Sequence, residues 1–124
     1  MDISYRPEAN GVADPGEVVW AWVPYEEDAT KGKDRPVLVI GVDGDSVFGL
    51  PMTSKDHDRD AEQEAHAGRL WMDVGSGPWD ARGRPREVRL NRMVTLHGAD
   101  VRREGAAIDA QIFAAVVAAM QERP

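Results

Sequence analysis

Two short segments hold the residues best suited to chemistry. Lys31-Gly-Lys-Asp-Arg-Pro-Val-Leu-Val-Ile40 sets Arg35 at the mouth of an apolar strand, and Leu50-Pro-Met-Thr-Ser54 sets two hydroxyls, Thr53 and Ser54, at the end of the next one. A guanidinium offers a rigid fork of donors that matches a phosphate and stays charged at any working pH. A hydroxyl beside it can donate to a non-bridging oxygen or orient a sugar hydroxyl. Phosphoryl chemistry rests largely on positioning and charge stabilisation, so the pair suits a phosphodiester. Taken singly, each residue also has a structural reading. Arg35 can pair with Asp34 or with an acid of the 24–34 loop, and Thr53 can cap a turn through its hydroxyl.

A hairpin is what joins them. Asp43-Gly44 signals a tight turn between a strand over 35–42 and a strand over 46–52. Antiparallel pairing lays the start of the first strand beside the end of the second, so Arg35 and Thr53 are expected at one edge of the sheet. One acid–base candidate lies nearby in sequence: His57, four residues past Thr53.

The remaining elements must hold that edge in place. Gly16–Val23 reads as a strand that is apolar on both faces, with Val18, Trp20 and Trp22 on one and Val19, Ala21 and Val23 on the other. Trp20 and Trp22 are therefore expected in the core. Residues 55–67 are strongly charged without an apolar stripe and read as a mobile loop. A strand over 68–74 follows, then a Gly/Pro-rich loop carrying Trp79, which is the tryptophan expected to offer a face for base stacking. Residues 87–96 read as one or two strands. Asp109 is placed to cap a final helix whose Ile112, Phe113, Val116, Val117 and Met120 form one apolar stripe. The expected class is α+β, mostly β: a small barrel of five to six antiparallel strands with a C-terminal helix. Residues 1–15 read as an arm, and 16–124 as one domain.

Charge is distributed unevenly. The chain of 124 residues carries a net charge of −7, which argues against a nucleic-acid partner when taken as a single total. Residues 82–103, however, hold seven arginines against two acids. Composition favours a stretch that is solvated or paired with the acids earlier in the chain; as a phosphate surface, Lys31, Lys33, Arg82, Arg84 and Arg86 are the cations expected to steer phosphate, together with Trp79 as a stacking surface. His57 and His66 lie in an acidic run that reads as solvated rather than as a metal site, and His97 reads as structural. The chain has no cysteine, no apolar run of the roughly 20 residues that span a bilayer, and no apolar stretch near its first residues. Together these predict a cytoplasmic protein without a membrane partner.

The run Gly16-Glu-Val-Val-Trp20, then Lys31 to Ile40, then Pro51-Met-Thr-Ser54, resembles the MazF/PemK family of toxins from bacterial toxin–antitoxin systems. Leu90-Asn-Arg-Met-Val-Thr-Leu96 and the terminal helix follow in the same order and spacing, so the resemblance spans most of 16–122. It implies an SH3-like barrel, a homodimer, a cognate antitoxin with which DNA is also bound, and metal-independent cleavage of single-stranded RNA with no cofactor. In that reaction the ribose 2′-OH attacks the adjacent phosphate and leaves a cyclic phosphate and a 5′-OH. The family's catalytic arginine falls on Arg35 and its threonine or serine on Thr53, with Ser54 next in register. Some members carry an acid five residues before the arginine, where this chain has Thr30, and the resemblance makes Glu27 or Asp28 the acid that would take its place if the loop folds back. Two functions therefore stand open: an endoribonuclease toxin, or a non-catalytic SH3-like module that binds a protein or an RNA strand.

Overall fold

Val37, Leu38, Val39 and Ile40 are all completely buried in the computed structural model, which describes residues 13–54 and 61–122. Successive strand residues point to opposite faces, so such a run needs cover on both sides. The strand that carries it, β2 (Gly32–Asp43), lies between β1 (Glu17–Pro24) and β3 (Ser46–Thr53). The sheet continues past β3 to β5 (Arg86–Arg89) and β4 (Trp71–Gly75), and past β1 to β7 (Arg102–Ala107). β6 (Val94–His97) also pairs with β3. Every pairing is antiparallel, and the sheet curls into a half-barrel. β3 changes partner along its length: residues 46–49 pair with β6, while Met52 and Thr53 pair with β5.

Two cores form, one on each face. Val18, Leu38, Ile40, Leu50, Met52 and Val88 pack with Phe113 and Val116 of the closing helix α2 (Ala110–Gln121). Val19, Val23, Val37, Val39 and Val47 form the second core, with Val94 and Leu96 against them. The stripe expected on α2 is the face it buries, since Ile112, Val117 and Met120 flank Phe113 and Val116. Asp109 caps the helix, with its Oδ2 accepting from the N–H groups of Gln111 at 2.9 Å and Ile112 at 3.3 Å.

The hairpin between β2 and β3 turns through Gly44 and Asp45. Gly44, with φ 59°, takes the first central position, where a positive φ suits the strands' twist. Gly49 has a different reason to be glycine. A Cβ there would stand 2.4 Å from Val37 Cγ1 and 2.7 Å from the Leu38 carbonyl oxygen.

The expected barrel-like, mostly antiparallel fold with a C-terminal helix is the one observed, with two additions. Strand β7, Arg-Arg-Glu-Gly-Ala-Ala, has neither alternation nor β-branched residues; pairing with β1 makes it a strand. Within the run expected to be a loop, Ala61–His66 form a helical turn and a half, α1. It lacks an apolar stripe because its anchor is polar. The Glu64 carboxylate is buried and accepts from Arg69 at 2.6 Å and from the Trp71 indole at 3.0 Å. Residues 55–60, including His57, and residues 1–12 of the expected arm lie outside the described residues. Ala13 and Pro15, assigned to that arm, are already buried.

The Gly/Pro-rich loop between β4 and β5 is pinned from inside. Trp79 is 2% exposed and belongs to the core under α2. Next to it, Asp80 accepts from Arg86 Nε at 3.1 Å and Nη2 at 3.0 Å, and both residues are buried. Burial works against the Asp80 charge. The Arg82 N–H and the Arg86 guanidinium outweigh it and hold the carboxyl below the usual aspartate range.

Gly49→Ala is expected to lower stability by about 2 kcal/mol in urea unfolding, because backbone is one of the colliding groups. Asp80→Asn strands the Arg86 charge and is expected to cost about 3 kcal/mol, the low end for a buried pair this near the surface. A depressed carboxyl stabilises the fold above its unfolded pKa and loses that contribution as pH falls through the folded value. The difference between parent and Asp80→Asn should therefore be constant near neutral pH and close below about pH 4, as read from unfolding midpoints across pH.

Candidate active site

The β2–β3 register pairs Val37 with Pro51, and two residues further along the strands come to Arg35 and Thr53. The Arg35 side chain crosses to β3, where Nη1 donates to the Met52 carbonyl oxygen at 3.4 Å. Asp34 does not hold it, because Asp34 pairs with Arg102. Arg35 Nε is fully buried and has no hydrogen-bond partner among the described residues. A donor left in that state costs about 1–3 kcal/mol, which an incoming acceptor would recover. Burial pushes the guanidinium's pKa down, the charges of Arg92 and Arg86 push the same way, and Tyr25 and Glu27 oppose them.

Thr53 is half-buried at the end of β3 and stands opposite Glu87 of β5. Directly opposed residues share a face, so Thr53 and Glu87 lie on the side of the sheet away from Met52 and Val88, which enter the core. Glu87 is only 6% exposed. Sequence reasoning passed over it. Its one signal is a lone acid among arginines in a short strand. Ser54 follows the strand end and is exposed.

The acids of the 24–34 loop have separate occupations. Glu26 takes a bidentate contact from Arg89, at 3.0 and 3.1 Å, which holds its carboxyl below the usual range. Asp28 accepts from the Thr30 hydroxyl at 2.6 Å and the Thr30 N–H at 3.1 Å. These bonds hold its carboxyl low and shape the turn. Glu27 is exposed, and its charge acts on Arg35. His57, the third acid–base candidate, is outside the described residues.

The cations divide as well. Lys31, Arg82 and Arg84 are exposed. Partial burial pushes the Lys33 ammonium's pKa down, and the charges of Arg35, Arg86 and Arg84 add to the effect. Arg92 donates to the Pro24 carbonyl at 2.6 Å and contributes to the same positive field around Arg35. A cationic patch therefore surrounds the start of β2 on a chain whose total charge is −7.

Three expectations are corrected here. Arg86 does not present itself to a ligand, because it is buried against Asp80 and stacked 5.3 Å from the centroid of Trp20. Trp79 offers no stacking face, since its ring fills the core. The exposed indoles are those placed in the core from the alternation of β1: Trp22 is 53% exposed, and Trp20 is half-buried. On that face β1 runs past the core under α2, whereas Val19, Ala21 and Val23 on the other face stay buried. His97 is structural as expected, with Nδ1 accepting from the Ala99 N–H at 3.2 Å. Among the described residues, no three His, Asp or Glu side chains gather as a metal site, and no helix is long and apolar enough to cross a membrane.

The site thus stands at one end of a curled antiparallel sheet closed by a C-terminal helix. No curated protein matches the chain in sequence. The family model for PemK-like, MazF-like toxins of type II toxin–antitoxin systems matches residues 14–123, nearly the whole length, and the chain belongs to that family.

Proposed function

We propose that this toxin is an endoribonuclease that cuts single-stranded RNA. The observation that carries the reading is Arg35 Nε: a buried cationic donor without a partner among the described residues, beside Thr53 and inside a positive patch. A phosphodiester oxygen is an acceptor of the right charge for it. Arg35 then stabilises the charge that builds on the phosphorane, and Thr53 orients the 2′-OH or a non-bridging oxygen. The 2′-oxygen forms its bond to phosphorus while the bond to the 5′-oxygen breaks. The 2′ proton passes to a base, and the leaving 5′-oxygen takes up a proton. The products are a 2′,3′-cyclic phosphate and a 5′-OH.

Glu27 is the base that best fits its surroundings. Its neighbours Glu26 and Asp28 are bound to Arg89 and Thr30, whereas Glu27 is exposed and its charge acts on Arg35. Charge stabilisation comes from Arg35 with Lys33 and Arg92 behind it, so the reaction is expected to proceed without a metal. RNA is drawn in by the patch rather than by total charge. An acidic antitoxin segment would compete for those same cations.

Purified protein is expected to cut mixed single-stranded RNA in the presence of EDTA and to leave cyclic phosphate ends. Arg35→Ala and Thr53→Ala should each lower the rate by about 100-fold or more. RNA left intact across varied sequences would instead favour a non-catalytic binding module. Arg35→Met has a second expected signature: it removes an unsatisfied buried donor while keeping the side chain's bulk, so the melting temperature should hold or rise while cleavage is lost. A melting temperature that falls by several degrees would show that Arg35 is a structural residue.

A further inference from the structure

A concave site lies on the other face of the β1–β2 ladder, one register position from Arg35. Trp20 pairs with Pro36 of β2 and with Arg102 of β7. It lines a cleft of about 390 Å³ together with Arg82, Arg84 and Arg102. That volume is at the lower end for a small-molecule site. The Trp20 ring is held in place from two directions. Its Nε1 donates to the Trp79 carbonyl oxygen at 2.7 Å, and Arg86, fixed by Asp80, lies over the ring. An aromatic platform fixed in advance loses little freedom when something stacks on it. Arg82 and Arg84 at the cleft are exposed, and Arg102 of β7 is tethered across β1 to Asp34 of β2.

An aromatic floor with a cationic rim is the pattern that holds single-stranded nucleic acid: a base on the ring and its phosphate on the arginines. We propose that Trp20, Arg82, Arg84 and Arg102 form a subsite for a nucleotide flanking the cleaved bond, with the base stacked on Trp20 and its phosphate held by the arginines. The proposal rests on the RNA-cleaving reading above. Lys33 stands two residues before Arg35 on β2, and the charges of both Arg35 and Arg84 act on it. A strand crossing Arg35 passes Lys33 near the start of β2 and enters the cleft. Stacking is tolerant of base identity, so the subsite adds affinity and register rather than sequence choice.

The test measures binding of a 2′-O-methyl RNA oligonucleotide, which lacks the attacking hydroxyl, so its result does not depend on catalysis. The double variant Arg82→Gln/Arg84→Gln changes two exposed residues and should fold normally. It is expected to bind at least about tenfold more weakly and to lower the slope of log affinity against log salt by about 1.4. Trp20→Leu should weaken binding about tenfold or more and abolish part of the tryptophan quenching seen on titration. Arg69→Gln, which removes one positive charge away from the cleft, should leave affinity unchanged. Double-variant binding equal to the parent's would overturn the subsite, even if RNA cleavage is present. Weakened oligonucleotide binding supports the subsite even if no RNA is cut, in which case only the catalytic reading fails. If the variants lose affinity for a polyglutamate peptide but keep it for RNA, the cleft serves an acidic protein and the proposal is overturned.

Discussion

The pairing of β2 with β3 is the contact on which everything else depends. Gly44 supplies the turn, and Gly49 lets β3 approach until no side chain fits between it and Val37. That approach seals one face over Val37 and Val39 and the other over Leu38 and Ile40. The same register brings the Arg35 guanidinium within reach of the Met52 carbonyl. Core and site are thus two consequences of one ladder, with the apolar middle of β2 in the barrel and its polar beginning at the rim.

The rim works by apportioning charge. Several arginines are each held by an acid: Arg86 by Asp80, Arg89 by Glu26, Arg69 by Glu64 and Arg102 by Asp34. The first three pin the 76–85 loop, the 24–34 loop and α1, while the exposed Arg102–Asp34 pair bridges β7 and β2 beside the cleft. Arg35, Lys33 and Arg92 are packed close enough to repel one another, which destabilises the folded chain and favours any anion that binds there. An acidic total and a cationic site are compatible because field strength at a surface is set by the nearest few charges, within a Debye length of about 8 Å at physiological salt.

Much of this was legible in the sequence, and the limits have physical causes. The hairpin, the two-faced apolar strands and the Asp109-capped helix announce themselves because each is specified by residues a few positions apart. β7 and α1 do not. The first is a strand by virtue of its partner β1, and the second is anchored by Glu64 to residues in β4 and the turn before it. Arg35 and Thr53 were legible as a pair because the turn between them is local. Glu87 was not, since its place opposite Thr53 requires β5 to return across more than thirty residues of chain.

The tryptophans show why composition misleads at a rim. A Gly/Pro-rich loop suggests an exposed Trp79, and an apolar strand suggests buried Trp20 and Trp22. The fold inverts both, for one reason. The loop lacks a regular element to cover the open end of the half-barrel, so it inserts its largest apolar side chain there, and Trp79 becomes core. β1 meanwhile runs past the core under α2 on the face of Trp20 and Trp22, which leaves both indoles at the surface. The Trp79 carbonyl then receives the Trp20 N–H, so the plug that closes the barrel also fixes the exposed ring. Mobility in that loop would loosen the core and the aromatic platform together, which ties the stability of this end of the barrel to the shape of the surface it presents.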